Sequence, residues 1–308
     1  MTERRHQEPI PLGEGEQPYS KGLLARALIA TGVAAERAYQ LAQRAEDDLV
    51  ERGERSIQLE RLDELARQVL GEEEGKRAVE MLRRYRELQE LDVPLIILIG
   101  GGTGTGKSSV ATELAYRLGI TRVTSTDFIR QTMRAFFSKE FMPSIHYSSF
   151  EAGEAVAADD EEAGDPRLVG FLEQTRNVLV GVRAVIERAL QEGFSMVLEG
   201  VHLVPGMLPP IKGAVVVHCV LAIDSEEEHA THFFVRDFAS DGLRPVERYL
   251  EALPDIRVIQ DAVVERARRA SVPVVENTEL TRTIAAVMEL VLASTERLEV
   301  VAHGGRGG

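Results

Sequence analysis

Cysteine occurs once in 308 residues, at Cys219 inside an apolar run. One cysteine cannot form an internal disulfide, and no Cys/His cluster has the spacing of a zinc site. Cys219 therefore reads as a small buried hydrophobe. Positive charge is also in short supply. Lys and Arg number 36 against 50 Asp and Glu, a formal net charge of −14. Such a field repels nucleic acid and anionic membranes, although a local arginine cluster can still capture a small anion. Long apolar runs are missing too. None approaches the ~20 residues of a membrane-spanning helix, and the N-terminal "MTERRHQEPIPLGEGEQ" has no apolar core of signal-peptide length. These absences predict a cytoplasmic protein with neither nucleic acid nor membrane as partner.

What is present has the composition of a globular chain, 44% hydrophobic and 28% charged. Its length suits about two domains. Over residues 20–91 apolar positions recur at helical spacing: Leu23, Leu24, Ala27 and Leu28 after the capping Ser20, then Ala38, Leu41, Ala42, Ala45 and Leu49 before Gly53. Two further helices follow, through Leu59–Val69 and Ala78–Leu88, and Asp92-Val93-Pro94 breaks the pattern. From Val93 five β-branched runs alternate with helical stretches: "VPLIILI", "TRVTST", "SMVLEG", "AVVVHCVLAI" and "VPVVEN". That alternation predicts an α/β domain with a five-stranded parallel sheet over 93–302. Residues 1–92 form a small helical domain, the acidic 157–165 a solvated loop, and 303–308 a disordered tail.

The chemistry starts at Gly101-x-x-x-x-Gly106-Lys107-Ser108, a phosphate loop with a strand before it and a helix after it. Its residues Gly101, Gly102, Thr103, Gly104, Thr105, Gly106, Lys107, Ser108 and Ser109 are the candidate ATP contacts. Glycines let successive backbone N–H groups face the phosphates, Lys107 reaches the β- and γ-phosphates, and Ser108 holds Mg²⁺. Other strand ends supply candidates, as ligands bind beyond the carboxyl ends of parallel strands. Asp127 follows the second run, placed to take a proton from an alcohol. Arg130 and Arg134, four apart on a helix, read as a fork for a phosphate on the acceptor. Glu199 ends an apolar run, a costly place for a carboxylate that does not meet a metal or partner; His202 is a further substrate candidate. His146, Ser148 and Ser149 in "FMPSIHYSSF" suit an acceptor pocket. Arg236, Arg244 and Arg248 suit a lid closing over the transferring group. His229 and His232 lack a metal partner and read as packing residues.

"GGTGTGKSS", "TSTDFIRQTMR", "HYSSFEA", "LEGVHLVPG" and "RYLEALPDIRVIQ" together resemble archaeal-type 2-phosphoglycerate kinase over nearly the whole chain. The resemblance implies a nucleoside-monophosphate-kinase-like sheet of order 2-3-1-4-5, ATP and Mg²⁺ as cofactors, and transfer to the 3-hydroxyl of 2-phosphoglycerate, giving 2,3-bisphosphoglycerate. The helical front resembles an ATP-cone, which implies a nucleotide effector, with Lys21 at the position of a cone lysine. From the residues alone the acceptor stays open among small phosphorylated alcohols, nucleoside monophosphates and polyol phosphates. A nucleotide-gated regulator without an acceptor is the reading from another class; such a switch has no need of Asp127 with its paired arginines.

Overall fold

The computed structural model describes residues 19–89, 92–156, 164–239 and 246–304. The chain divides into two compact units, Met1–Asp92 with Tyr116–Gly119 and Met288–Gly308, and Val93–Ala115 with Ile120–Val287. Residues from 288 onward, read above as part of the second domain, thus group with the first unit. The helix that carries them runs to Gly304, past the start of the expected disordered tail. Most of the acidic stretch 157–165 lies outside the described residues, as does the N-terminal basic pair.

The first unit contains α1 (Lys21–Ala30), α2 (Ala35–Arg52), α3 (Leu59–Leu70) and α4 (Glu72–Gln89). Ser20 caps α1 by accepting the Leu23 N–H, and Gly53 ends α2 in the left-handed conformation that glycine adopts without a Cβ clash. Leu24, Leu28, Leu41, Leu62, Leu65 and Leu82 are buried, each on the face its spacing predicts. Lys21 donates to Gln43 (2.8 Å) and Glu46 (3.1 Å) on α2.

The second unit is built on β1 (Leu95–Gly101), β2 (Val123–Ser125), β3 (Met196–Glu199), β4 (Val215–Ala222) and β5 (Val274–Glu276). All pairings are parallel and the order is β2-β3-β1-β4-β5. Between them run α5 (Lys107–Leu118), α6 (Thr126–Arg134), α7 (Pro166–Glu192), α8 (Glu226–Ala239), α9 (Val246–Glu251) and α10 (Leu253–Arg269); α11 (Leu280–Gly304) begins in this unit and from Met288 belongs to the first. Every residue of β1 is buried, as a central strand covered on both faces demands. On one face Ile96, Leu98, Met196 and Leu198 pack with Val178, Val182 and Ile186 of α7. On the other, Val220 and Ala222 pack with Ile256, Ile259 and Val263 of α10. Cys219 is fully buried on β4, and desolvation pushes its thiol up to about 12. It packs as the small buried hydrophobe its apolar run implies. Among the described residues no helix is long and apolar enough to cross a membrane.

Candidate active site

β1 stops at Gly101 and α5 starts at Lys107, so the glycine loop spans the turn from strand to helix. Gly101, Gly104 and Gly106 have φ of 139°, 86° and 78°, backbone that L side chains rarely adopt. Lys107 is buried, and its Nζ donates back across the loop to Gly102 O at 2.5 Å. Burial pulls the ammonium below its usual pKa, against the opposing pull of Glu199 and Asp127. Ser108 Oγ donates to Glu199 Oε1 at 2.9 Å. Glu199 is the buried last residue of β3, in register with Ile99 on one side and Ser125 on the other. Among the described residues no three His, Cys, Asp or Glu side chains converge as a metal cage. One hydroxyl and one carboxylate beside a phosphate loop instead suit Mg²⁺, which takes few protein ligands and completes its shell with phosphate oxygens and water. Ser109 is exposed on the first turn of α5.

Asp127 sits in the first turn of α6, whose N-terminus is capped by Ser125 Oγ accepting from Phe128 N–H at 3.0 Å. Partial desolvation works against its ionisation, yet His202, Arg130 and Lys107 outweigh this and hold the carboxyl below its usual range. The expected arginine fork is not formed. Arg130 is buried, with Nε on Asp127 (3.2 Å) and Nη1 on Ile145 O (2.9 Å) and Tyr147 O (2.8 Å). Arg134 is exposed and reaches Gln131 at 3.2 Å. Arg130 faces inward because the 144–147 backbone turns three carbonyl groups toward α6 and α7.

His202 also turns inward. Expected among substrate contacts, it is fully buried between Thr126 Oγ1 (2.8 Å from Nδ1) and Gln174 Oε1 (2.9 Å from Nε2). Desolvation pushes its pKa down to about 4, so the imidazole is neutral: Nε2–H donates to Gln174 and Nδ1 accepts from Thr126. Gln174 in turn donates to Ser144 O (2.6 Å) and Tyr147 O (3.1 Å), so the same network holds α6 and the 144–147 segment. Gly200 makes room for it. A Cβ there would collide with the Thr126 side chain, and its φ is 149°. Gly200→Ala is therefore expected to cost about 1–3 kcal/mol and to lower Tm by several degrees. An unchanged melting curve would remove Gly200 from this account.

The 146–151 segment meets the loop from the other side. Ser149 is buried with its Oγ 3.3 Å from Thr103 Oγ1. Ser148 Oγ accepts from Arg248 Nη2 at 3.1 Å, and Arg248 also pairs with Glu151 at 2.7 Å. His146 donates from Nε2 to Phe137 O at 2.9 Å. The Arg236 side chain and all of Arg244 lie outside the described residues. Sequence reasoning missed Gln174 and Asn277. Asn277, just beyond β5, is buried and donates to Thr105 O at 2.9 Å.

No family model matches the chain. Among curated proteins it is similar to the 2-phosphoglycerate kinase of Thermococcus kodakarensis, 38% identical over 92% of this chain and 96% of that protein. The 2-phosphoglycerate kinase of Pyrococcus furiosus is 37% identical, covering 92% of each. That of Methanothermobacter thermautotrophicus is 38% identical over 91% of this chain and 92% of its own length. Among solved structures, a putative kinase from Chloroflexus aurantiacus is 15% identical, with 66% of this chain and 99% of that chain covered and a TM-score of 0.34.

Proposed function

Because the chain belongs to the 2-phosphoglycerate kinase family, we propose that it transfers the γ-phosphoryl group of ATP to the 3-hydroxyl of 2-phosphoglycerate, yielding 2,3-bisphosphoglycerate and ADP. The observation that carries this reading is the meeting of a complete phosphate loop with a Ser108–Glu199 pair. In this reading Gly101–Ser109 cradles the triphosphate. Ser108 and Glu199 would hold Mg²⁺, which would supply charge neutralisation for the transferring phosphoryl group. Asp127 orients the acceptor hydroxyl and takes its proton. Its depressed pKa suits a loose phosphoryl-transfer transition state, where positioning matters more than base strength. The assignment is tested by following ADP release with 2-phosphoglycerate, 3-phosphoglycerate, glycerate and AMP as acceptors. Turnover is expected with 2-phosphoglycerate; preference for AMP would point to a nucleotide kinase.

The cations divide differently from the sequence expectation. Arg130 secures the segment that carries Ser148 and Ser149, and Arg134 stands on the exposed side of α6. Recognition of the acceptor's phosphate is assigned to Arg248, supported by its contact with Ser148 and its exposed guanidinium. A charged hydrogen bond is worth about 1.5–3 kcal/mol, so Arg248→Ala is expected to raise the 2-phosphoglycerate KM about 10–150-fold and to spare that of ATP. Equal losses with unphosphorylated glycerate would show that Arg248 does not read the phosphate. His146 is assigned to shaping the acceptor segment, and Arg236 and Arg244 to the lid.

The first unit is assigned a regulatory role with a nucleotide effector, supported by the cone-like helices and by the absence from it of any acceptor or catalytic candidate. Calorimetric titration with ATP is expected to give two nucleotides per chain. One per chain would remove the effector. We place the reaction in the cytoplasm, where ATP is supplied.

A further inference from the structure

Four consecutive carbonyls of the phosphate loop accept hydrogen bonds from side chains. Gly102 O accepts from Thr105 Oγ1 (3.0 Å) and Lys107, and Thr105 O from Asn277 (2.9 Å). The two at the crest are met by α8. His229 Nε2 lies 2.7 Å from Thr103 O, and His232 Nδ1 lies 3.2 Å from Gly104 O. A carbonyl oxygen has no proton, so each imidazole nitrogen is the donor. The loop crest lies directly on this helix: a Cβ at Gly104 would come within 2.5 Å of the Phe233 ring and 3.1 Å of His229 Nε2.

His229 is an odd residue to bury for packing alone. It is fully buried and stacks on Phe233 at 5.4 Å, where a phenylalanine would fit as well. Its Nδ1 is buried without a partner, a polar group whose solvation is lost and not replaced. Desolvation pushes the pKa down to about 4, keeping the ring neutral with its proton on Nε2. What the imidazole adds over an apolar ring is the single bond to Thr103 O.

That bond has a geometric consequence. In a trans peptide the C=O and the next residue's N–H point to opposite sides, and the chain has no cis bonds among the described residues. A donor on Thr103 O therefore turns the Gly104 N–H away from α8, and a donor on Gly104 O does the same for Thr105 N–H. We propose that His229 and His232 are positioning residues for the nucleotide, fixing two peptide planes of the phosphate loop from outside so that their N–H groups face the triphosphate. The pair at i, i+3 on α8 replaces solvent as the donor to both carbonyls. The inference rests on the phosphate-loop reading of ATP binding.

The test uses the full chain, with the ADP dissociation constant measured by calorimetry and KM for ATP and 2-phosphoglycerate measured separately. His229→Phe keeps the volume and the stack and removes the donor; His229→Gln restores an N–H at comparable reach. His232→Ala and His232→Asn repeat the comparison at a half-buried site. His229→Phe and His232→Ala are each expected to weaken ADP binding and raise the ATP KM about 3–10-fold, the size of one neutral hydrogen bond. The acceptor KM and Tm are expected to hold, and the amide variants to recover most of the loss. Wild-type ADP affinity in both donor-free variants would overturn the proposal. So would a loss that the amides fail to recover, or one shared equally by both substrates together with a fall in Tm, since that is the pattern of simple packing. Should His229→Phe not fold, the His232 pair decides by the same criteria. A wild-type protein that binds no ADP overturns the phosphate-loop reading itself, a result distinct from variants that bind as well as wild type.

Discussion

Lys107→Ala is expected to lower kcat about 10²–10³-fold, the loss that follows removal of one preorganised donor from a developing negative charge. The fold is expected to survive. Burial holds the ammonium below its ordinary pKa, so the charged form is disfavoured in the folded chain relative to the unfolded one. That cost is fully present below the folded pKa and fades as pH rises toward the unfolded value. At neutral pH a neutral replacement removes it. Lys107→Met, which also preserves volume, is expected to melt no lower than wild type while losing the same activity. ADP production near the wild-type rate in either variant would take Lys107 out of the mechanism.

Asp127→Asn is expected to lower kcat about 10²–10⁴-fold, the usual range for a positioned proton acceptor. Asparagine keeps an oxygen within reach of Arg130 Nε, so α6 and its cap have no reason to move. In the proposed reading Asp127 meets the acceptor and not the nucleotide, and the ATP KM is expected to change little. The discriminating measurement is single-turnover transfer at saturating ATP and acceptor. A variant with wild-type kcat and a raised acceptor KM would show that Asp127 only binds.

Much of this arrangement is legible in the residues. Ser20 and Gly53 punctuate helices through capping chemistry that acts within a few residues. The β1–loop–α5 unit is equally local. The strand order follows from the family resemblance and not from periodicity, because strand pairing joins segments as far apart as Leu95 and Val215. The Ser108–Glu199 pair spans 91 positions, yet a carboxylate closing an apolar strand signals a polar partner. Direction is what the sequence hides. Arg130 and His202 carry the right chemistry for substrate contacts, but carbonyls of the 145–147 segment and the Gln174 amide turn them inward. Gln174 carries a signal in the sequence: it interrupts the buried stripe Phe171, Val178, Val182 on α7, where a polar side chain needs a partner. Asn277 carries a weaker one, standing just past the carboxyl end of a parallel strand. His229 and His232 read as packing residues until the loop carbonyls are placed against them.

The central claim is the transfer of phosphate to a particular oxygen, and ³¹P NMR of the complete reaction tests it most directly. The protein is incubated with Mg²⁺, ATP and 2-phosphoglycerate, and the phosphorus resonances are followed to completion. The account predicts that the γ-phosphate signal of ATP disappears as ADP signals grow, while the single monoester of 2-phosphoglycerate gives way to two monoester resonances of equal intensity on one glycerate skeleton. ATP consumed with only inorganic phosphate released, or with the 2-phosphoglycerate resonance unchanged, would contradict it.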